Sequence, residues 1–266
     1  MKYALKVYGI LEVGKRTDEQ GHPHQEDCIY PSMEQLSDKE RLFILCDGMG
    51  GHDLGEVASS AVCQTMSNYI VHHTATNTFS TSDLQQALTA AFDALDAHDT
   101  SAAKKMGTTL ALLKLHKEGG TIAHMGDSRV YHIRPGKSEM DTSILFVTED
   151  HSLVNCLVKI GELTKEEARH SKQKNIITRA MQPHSDRPKP DITLITDIRP
   201  DDYFVLCSDG MLEQDEMEDG TVLKRIFSKC VSTDEEKVAI LKGATAENSD
   251  NHSALIIHIT DVIGEE

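Results

Sequence analysis

The chain has 266 residues, of which 39% are hydrophobic and 26% charged, and its formal net charge is −16 at pH 7. This length and composition are typical of a folded globular protein and exclude an intrinsically disordered chain. The acidic excess disfavours general binding to nucleic acids or anionic membranes, because their phosphates carry charge of the same sign.

Short apolar or alternating segments predict nine β-strands along the chain. In order they cover residues 5–13, 42–46, 110–115, 121–125, 130–133, 144–147, 192–195, 203–207 and 254–259. Helical spacing of apolar residues covers 56–70 and 84–98, and weaker helical patterns cover 153–160, 165–170, 222–229 and 237–245. Gly119-Gly120, between two of the strands, indicates a hairpin.

The order of these elements favours an α+β fold. Strands cluster in the middle of the chain and return at its end, with helices inserted as pairs, which differs from the regular alternation of a doubly wound parallel sheet. No linker rich in Pro, Ser or Gly divides the chain, so we predict a single domain over residues 1–266. We expect mostly antiparallel sheets with helices on their outer faces.

The sequence gives no indication of a targeting signal or a membrane span. Its first residues lack the apolar core of a secretory signal, and no stretch reaches the roughly 18 apolar residues of a membrane span. The six cysteines are scattered and form no C-x-x-C pair. We therefore expect small buried side chains in a reducing cytoplasm, and neither a zinc site nor a disulfide framework.

Two strands that look buried end at an Asp-Gly pair, Asp47-Gly48 and Asp209-Gly210. Asp-Gly is a common turn signal, but such a strand would also bring a carboxylate to the rim of a sheet beside a glycine carbonyl. Further acidic residues adjoin strand-like segments, at Glu26-Asp27, Asp127 and Asp250. If they converge, their oxygens favour two Mg²⁺ or Mn²⁺ ions over zinc or copper. The residues alone leave open whether they do.

The segment Asp47-Gly48-Met49-Gly50-Gly51-His52 resembles the metal-dependent protein phosphatases of the protein phosphatase 2C family, in its bacterial form. The other family blocks occur in the family's order, at residues 25–27, 107–110, 126–131, 148–154, 177–180, 207–210 and 250–251. The resemblance covers nearly the whole chain. It implies a four-layer α-β-β-α fold, in which a central β-sandwich of two antiparallel sheets is flanked by helix pairs and carries the metals at one end.

The resemblance also implies which residues hold the metals. Two Mn²⁺ or Mg²⁺ ions would be bound by Asp27, Asp47, Asp209 and Asp250. Asp47 would bridge the ions, and the carbonyl of Gly48 would be a further ligand. A third, weaker metal would be held in part by Asp127.

Two further residues have roles implied in catalysis. Glu26 would hydrogen-bond water on the metals, and His52 would be the general acid that protonates the leaving oxygen, for which an imidazole has a suitable pKa. The alternative for His52 is a solvent-facing loop residue that aids the start of a helix. His151 begins a helix-like segment, and we expect its role to be structural.

The phosphate-binding residue departs from the family pattern. The family usually has an arginine about five residues before the first metal aspartate, and that position here is His22. Either His22 replaces the arginine, or extra residues lengthen the loop and Arg16 serves instead. The preceding Gly14-Lys15 matches the family's usual lead-in and favours Arg16.

Residues 155–176 resemble the mobile flap of bacterial members, although without the resemblance their lysines and glutamates indicate a solvated helix. The resemblance implies hydrolysis of phosphoserine and phosphothreonine in proteins by a metal-activated water, in opposition to a serine/threonine kinase. The enzyme would be a cytoplasmic monomer. One alternative is a catalytically weak phosphatase-like binding module. Another is a two-metal phosphodiesterase or nuclease, which the negative charge disfavours.

Overall fold

The structure is a computed structural model that describes residues 2–18, 20–50, 54–75, 77–98, 106–214, 217 and 219–264. Its strands are β1 (Lys2–Glu12), β2 (Asp27–Tyr30), β3 (Leu42–Met49), β4 (Gly107–Thr108), β5 (Leu110–His116), β6 (Gly119–Met125), β7 (Arg129–Arg134), β8 (Ser143–Val147), β9 (Asp191–Ile195), β10 (Tyr203–Cys207) and β11 (His252–Ile263). The helices are α1 (Leu54–His73), α2 (Thr81–His98), α3 (Leu153–Lys159), α4 (Lys165–Arg169), α5 (Thr221–Ile226) and α6 (Asp234–Thr245), and a 3-10 turn covers Asp209–Leu212.

The strands form two antiparallel sheets. The first sheet has the order β1-β11-β10-β7-β8, and the second has the order β2-β3-β5-β6-β9, with β4 paired to the end of β3. All nine predicted strands are present. The sequence did not predict β2 and β4, because four and two residues are too few to show a period.

The core has three layers, because the central strands are buried on both faces. In β3, Phe43 and Leu45 point between the sheets, whereas Ile44 packs under α1 and α2. In β10, Phe204 points between the sheets and Val205 packs toward the face covered by α5 and α6. Strands covered on both faces are apolar throughout instead of alternating. The predicted four-layer arrangement is confirmed.

The end of β3 differs from the sequence prediction. The sequence predicts a strand over residues 42–46 that ends at Asp47-Gly48, with a turn as one interpretation of that pair, but β3 continues to Met49. The extension has partners on both sides, since Asp47 pairs with Asp27 of β2 and Gly48 pairs with Thr108 of β4. The Asp-Gly pair therefore lies inside a strand, and only Asp209-Gly210 forms a turn after its strand.

The predicted hairpin joins β5 to β6, but its glycines are not in the turn. Lys117 and Glu118 form the two-residue turn, and Gly119 is already the first residue of β6. Gly119 has φ +141°, and a Cβ there would lie 2.1 Å from the Ile195 carbonyl oxygen. Glycine is needed at this position because β9 approaches the backbone closely.

Residues 155–176, which we call the flap, leave and rejoin the fold at adjacent points. Ser152 and Ile177 form an isolated antiparallel bridge at the base. Within the flap, α4 starts with a capping box, in which the Thr164 hydroxyl accepts from the Glu167 amide and the Glu167 carboxylate accepts from the Thr164 amide. The flap thus has helical structure of its own on a closed base.

The cysteines agree only partly with the expectation of buried side chains. All six are free thiols, and Cys46, Cys63 and Cys207 are buried, but Cys156 and Cys230 are exposed. The expectation was wrong for these two because they lie on surface segments, Cys156 on α3 and Cys230 after α5. Among the described residues, no helix combines the length and the apolar character that crossing a bilayer requires.

Candidate active site

Five aspartates lie at the same end of the sandwich. In the second sheet, Asp27 stands opposite Asp47 in the β2–β3 pair. In the first sheet β10 ends beside the start of β11, which brings Asp209 and Asp250 within electrostatic reach of each other. Asp127 lies in the connection from β6 to β7, which joins the two sheets at this end. We call these five residues the acidic cluster.

Four members of the acidic cluster have raised pKa values, and charges of other members contribute to each rise. Burial raises the pKa of Asp27 to about 7, and the charges of Asp209 and Asp250 add to the rise. Burial and the charges of Asp27, Asp209 and Asp127 raise the pKa of Asp47 well above its usual range. The pKa values of Asp127 and Asp209 are also raised, first by burial and then by aspartates of the cluster. Without a cation, the carboxyl groups at this end of the molecule resist losing all their protons.

Several buried carboxylate oxygens at this end have no hydrogen-bond partner within the described part of the chain. They are Asp27 Oδ1, Asp127 Oδ1 and Glu26 Oε1. The second oxygen of Asp27 accepts a hydrogen bond from the Ser208 hydroxyl at 2.8 Å. Buried carboxylate oxygens without partners are costly unless a cation or water meets them. The donor set therefore fits hard divalent cations, since every candidate ligand is an oxygen.

The described residues contain no group of three or more His, Cys, Asp or Glu side chains arranged as a ready-made cage for one metal ion. This is compatible with Mg²⁺-type binding, because that ion keeps several waters and takes only one or two carboxylates. The arrangement fits cations that share ligands and complete their shells with water.

Threonines of the Gly-Thr-Thr block hold Asp47 in place. The Asp47 amide donates to the Thr109 hydroxyl at 2.9 Å, and the Thr108 hydroxyl donates to the Asp47 carbonyl at 2.9 Å. The Thr109 hydroxyl also lies 2.6 Å from the Ser128 hydroxyl, in the turn that carries Asp127. The sequence marked these threonines as a family block but assigned them no role. Their hydroxyls connect a ligand candidate of one sheet to the turn between the sheets.

Glu26 is held by close packing around two glycines. A Cβ on Gly48 would lie 2.1 Å from the Gly55 carbonyl oxygen, and a Cβ on Gly55 would lie 2.4 Å from Glu26 Oε1. The Glu26 amide donates to Asn251 Oδ1 at 2.8 Å, and its carbonyl accepts from the Gly48 amide at 3.1 Å. The start of α1, the end of β3 and Glu26 are therefore fixed relative to one another.

Arg16 lies against the acidic residues. Its guanidinium donates to both oxygens of Asp250, at 2.6 and 3.0 Å, and to Glu26 Oε2 at 3.0 Å. The bidentate contact with Asp250 raises the pKa of Arg16. Gly14 has φ +64°, and a Cβ there would lie 2.2 Å from the Asp250 carbonyl oxygen, so the lead-in glycine lets this loop approach Asp250.

His22 lies elsewhere. The Thr17–Pro23 bridge closes the loop that carries His22, and the His24 amide donates to the Arg16 carbonyl at 3.2 Å. These contacts bring Arg16 beside Glu26, ten positions further along the chain. The His22 side chain is 76% exposed and faces Asp18, 3.2 Å away. His52, the predicted general acid, lies outside the described residues.

His151 holds the turn that carries Asp127. Its Nδ1 accepts from the Gly126 amide at 3.0 Å, and its own amide donates to the Gly126 carbonyl at 2.8 Å. Since Nδ1 accepts, the ring proton is on Nε2, which donates to Asp191 at 3.0 Å. The residue next to Asp127 is thus clamped from both sides, which agrees with the structural role expected for His151.

This chain is similar in sequence and fold to known proteins of one family. Residues 13–244 match the family described as Protein phosphatase 2C. The chain is 32% identical over 230 residues to the serine/threonine phosphatase stp of Listeria welshimeri, which covers 83% of this chain and 85% of that protein. It is 31% identical over 205 residues to the serine/threonine protein phosphatase PstP of Mycobacterium tuberculosis, covering 76% of this chain and 36% of that protein.

Solved structures agree. The crystal structure of Mycobacterium tuberculosis PstP/Ppp has a TM-score of 0.75 and 26% identity, and the match covers 97% of this chain and 99% of that one. The catalytic domain of PstP in complex with two manganese ions has a TM-score of 0.73 and 26% identity, with 98% and 100% covered. From its sequence match over most of its length and from the shared sandwich, this chain belongs to the protein phosphatase 2C family.

Proposed function

We propose that this chain hydrolyses phosphoserine and phosphothreonine in proteins, with Mn²⁺ or Mg²⁺ bound at the acidic cluster. The observation that carries the proposal is the convergence of five aspartates from both sheets, with buried oxygens that lack hydrogen-bond partners in the described structure. Divalent cations would satisfy those oxygens and remove the repulsion among the aspartates. All the acidic residues of the family pattern are present, so a binding module without turnover has no support here.

The cations would be shared among the members of the cluster. Two ions would be held by Asp27, Asp47, Asp209 and Asp250, with Asp47 as the bridge and the carbonyl of Gly48 as a further ligand. Asp127 would contribute to a third ion. When bound, divalent ions lower the pKa of a water molecule and neutralise the phosphoryl oxygens.

Other residues of the chain would position the reactants. Glu26 Oε1 is buried and has no hydrogen-bond partner among the described residues, so it can accept a hydrogen bond from a water beside the cluster. The Arg16 guanidinium presents a planar fork that binds phosphate oxygens as it binds the Asp250 carboxylate. His52 would protonate the leaving serine or threonine oxygen.

Its physiological role would be to reverse the action of a serine/threonine kinase on proteins, as a monomer in the cytoplasm. The six free thiols support a reducing compartment. A groove that runs from the acidic cluster to the flap supports a protein substrate, since it is long enough to be lined by both.

The proposal is tested with the full chain on three substrates: p-nitrophenyl phosphate, a phosphothreonine peptide and bis-p-nitrophenyl phosphate. We expect hydrolysis of both monoesters with Mn²⁺, loss of this activity with EDTA, and little action on the diester. No monoester hydrolysis at any metal concentration would contradict the proposal. Preferred cleavage of the diester would instead favour a phosphodiesterase.

Arg16 and His22 can be separated by single substitutions. Arg16→Lys removes the bidentate fork, and we expect the KM for p-nitrophenyl phosphate to rise by about tenfold, the effect of losing a charged hydrogen bond worth about 1.5 kcal/mol. His22→Ala should leave KM unchanged, because that side chain is exposed and faces Asp18. Lys15→Gln, at the exposed neighbouring position, is the control. A larger effect of His22→Ala than of Arg16→Lys would reverse the assignment.

His151→Ala should lower kcat at saturating Mn²⁺ by about tenfold and lower Tm, because the buried Gly126 amide loses its acceptor at a cost of about 1–3 kcal/mol. In His151→Asn the amide oxygen lies near the former position of Nδ1, so this variant should recover part of kcat. Equal loss of kcat in both variants would show that the acceptor at Nδ1 does not matter.

A further inference from the structure

A groove of about 390 Å³ connects the acidic cluster to the flap. It is lined by Asp127, Asp209 and Asp250 of the acidic cluster and by Lys165, Arg169 and Lys174 of the flap. The acidic cluster and the flap therefore bring opposite charges to one groove. In a protein with a net charge of −16, a row of cations beside the reaction site is unusual.

Two of the flap cations in the groove have no close acidic partner. In the described part of the chain, neither Lys165 nor Lys174 has an acidic group within 4.0 Å, and both are exposed. Arg169 lies 3.8 Å from Glu166 of its own helix, and its charge also helps to lower the pKa of Asp219. The two lysines therefore leave positive charge open to a ligand in the groove.

The acidic residues of the same groove already have partners. Asp150 accepts two hydrogen bonds from Arg129, both at 2.7 Å. Glu149 pairs with Lys159 at 3.1 Å, and Glu213 accepts from the Ser249 and Asp250 amides at 2.7–2.9 Å. Unpaired charge in the groove outside the acidic cluster is thus positive.

The position of Lys165 is not explained by helix stability. It is the first residue of α4, after the cap Thr164. Backbone amides are exposed at the start of a helix, so a carboxylate is favoured there and a cation is not. The capping box of Thr164 and Glu167 stabilises α4 without Lys165. The lysine is available for contact with a ligand in the groove.

We propose that the flap end of the groove binds anionic side chains that neighbour the phosphorylated residue, so that the enzyme prefers acidic phosphopeptides. This inference rests on the proposed function and adds a substrate class to it. An extended peptide advances about 3.3 Å per residue, so with the phosphorylated residue at the acidic cluster, neighbouring residues follow the groove toward the flap. The anion can be a carboxylate or a second phosphate, since both have oxygens that lysine and arginine bind.

The test compares the full chain with the double variant Lys165→Gln/Lys174→Gln, in Mn²⁺, on one phosphothreonine peptide scaffold. The scaffold has three forms, with neutral neighbours, with glutamates and with a second phosphothreonine. Lys172→Gln is the matched control, because Lys172 is an exposed flap lysine that does not line the groove. Hydrolysis of p-nitrophenyl phosphate measures activity at the reaction site alone, without peptide contacts in the groove.

For the unaltered chain we expect kcat/KM on both anionic peptides to exceed that on the neutral one by about fivefold to tenfold, the effect of two partly exposed charge pairs. The double variant should lose this preference through KM, and keep its activity on the neutral peptide and p-nitrophenyl phosphate. Preference for only one anionic peptide would identify carboxylate or phosphate as the ligand. The Lys172→Gln variant should behave like the unaltered chain.

Binding gives a readout that does not depend on turnover. In fluorescence anisotropy, the dephosphorylated glutamate peptide should bind the unaltered chain more tightly than the double variant, and added salt should remove the difference. Equal kcat/KM on neutral and anionic peptides, or equal loss on all substrates in the double variant, would overturn the inference while leaving the proposed function intact. Absence of hydrolysis of every monoester, p-nitrophenyl phosphate included, would overturn the proposed function and the inference with it.

Discussion

Asp209→Asn is expected to lower kcat/KM by about a hundredfold to a thousandfold, the range for losing one electrostatic contact to transition-state charge. Asparagine keeps the shape of the side chain but is a weaker ligand for a hard cation. In the metal-free protein the same substitution should raise Tm, because it removes one charge from a group whose members raise one another's pKa. Activity and stability should therefore change in opposite directions.

The measurement is the p-nitrophenyl phosphate rate across Mn²⁺ concentrations, together with thermal unfolding in EDTA. Asp186→Asn is the control, since Asp186 is exposed and lies outside the cluster. It should change neither quantity. If Asp209→Asn kept more than half the activity, or if it lowered Tm in EDTA, the acidic cluster would not be a metal centre of the kind proposed.

The second large effect is a pH dependence of stability that bound metal should cancel. The pKa of Asp27 in the folded protein is about 7, above its unfolded value of about 3.9, so between these values the folded protein binds more protons. This contribution to stability is fully present below the unfolded pKa and is lost as the pH rises through about 7. Metal-free protein should thus lose about 2 kcal/mol through Asp27 alone between about pH 5.5 and about pH 7.5.

Bound Mn²⁺ should cancel this loss. A cation binds the ionised carboxylates, so the stabilisation by metal should grow as the pH rises. His124 makes stability rise with pH, both with and without metal. Burial lowers its pKa to about 4, so the folded protein binds fewer protons than the unfolded one. Subtracting the Tm in EDTA from the Tm in Mn²⁺ at each pH cancels contributions that, like that of His124, are the same with and without metal. A difference that shrinks with rising pH would contradict the prediction.

Local patterns predicted the secondary structure well. The apolar strands and paired helices of the sequence are present, with ends that move by a few residues, because burial of whole strand faces leaves a strong local signal. The differences between the predicted and observed strands have physical reasons. β2 has four residues and β4 has two, and β3 extends through its Asp-Gly pair because these two strands supply partners on either side.

The choice between Arg16 and His22 could not be made from local patterns. Spacing from Asp27 pointed to His22, and the lead-in glycine pointed to Arg16. The structure places Arg16 against Asp250, which is 234 residues away along the chain, and turns His22 toward Asp18. Because the partner of Arg16 is so distant in the sequence, the residues around Arg16 carry no local pattern that indicates the contact. The clamp of His151 on Gly126, across 25 residues, is of the same kind.

By itself the amino-acid order determined which elements form, which family the chain resembles and which carboxylates are candidates for metal, since these follow from short-range periodicity and from motifs of a few residues. Folding in three dimensions decided that carboxylates of both sheets come together, which of their oxygens lack a hydrogen-bond partner among the described residues, and that lysines of the flap line the same groove. Burial and electrostatic repulsion depend on the distance between groups in space, and that distance is set only when the two sheets pack together.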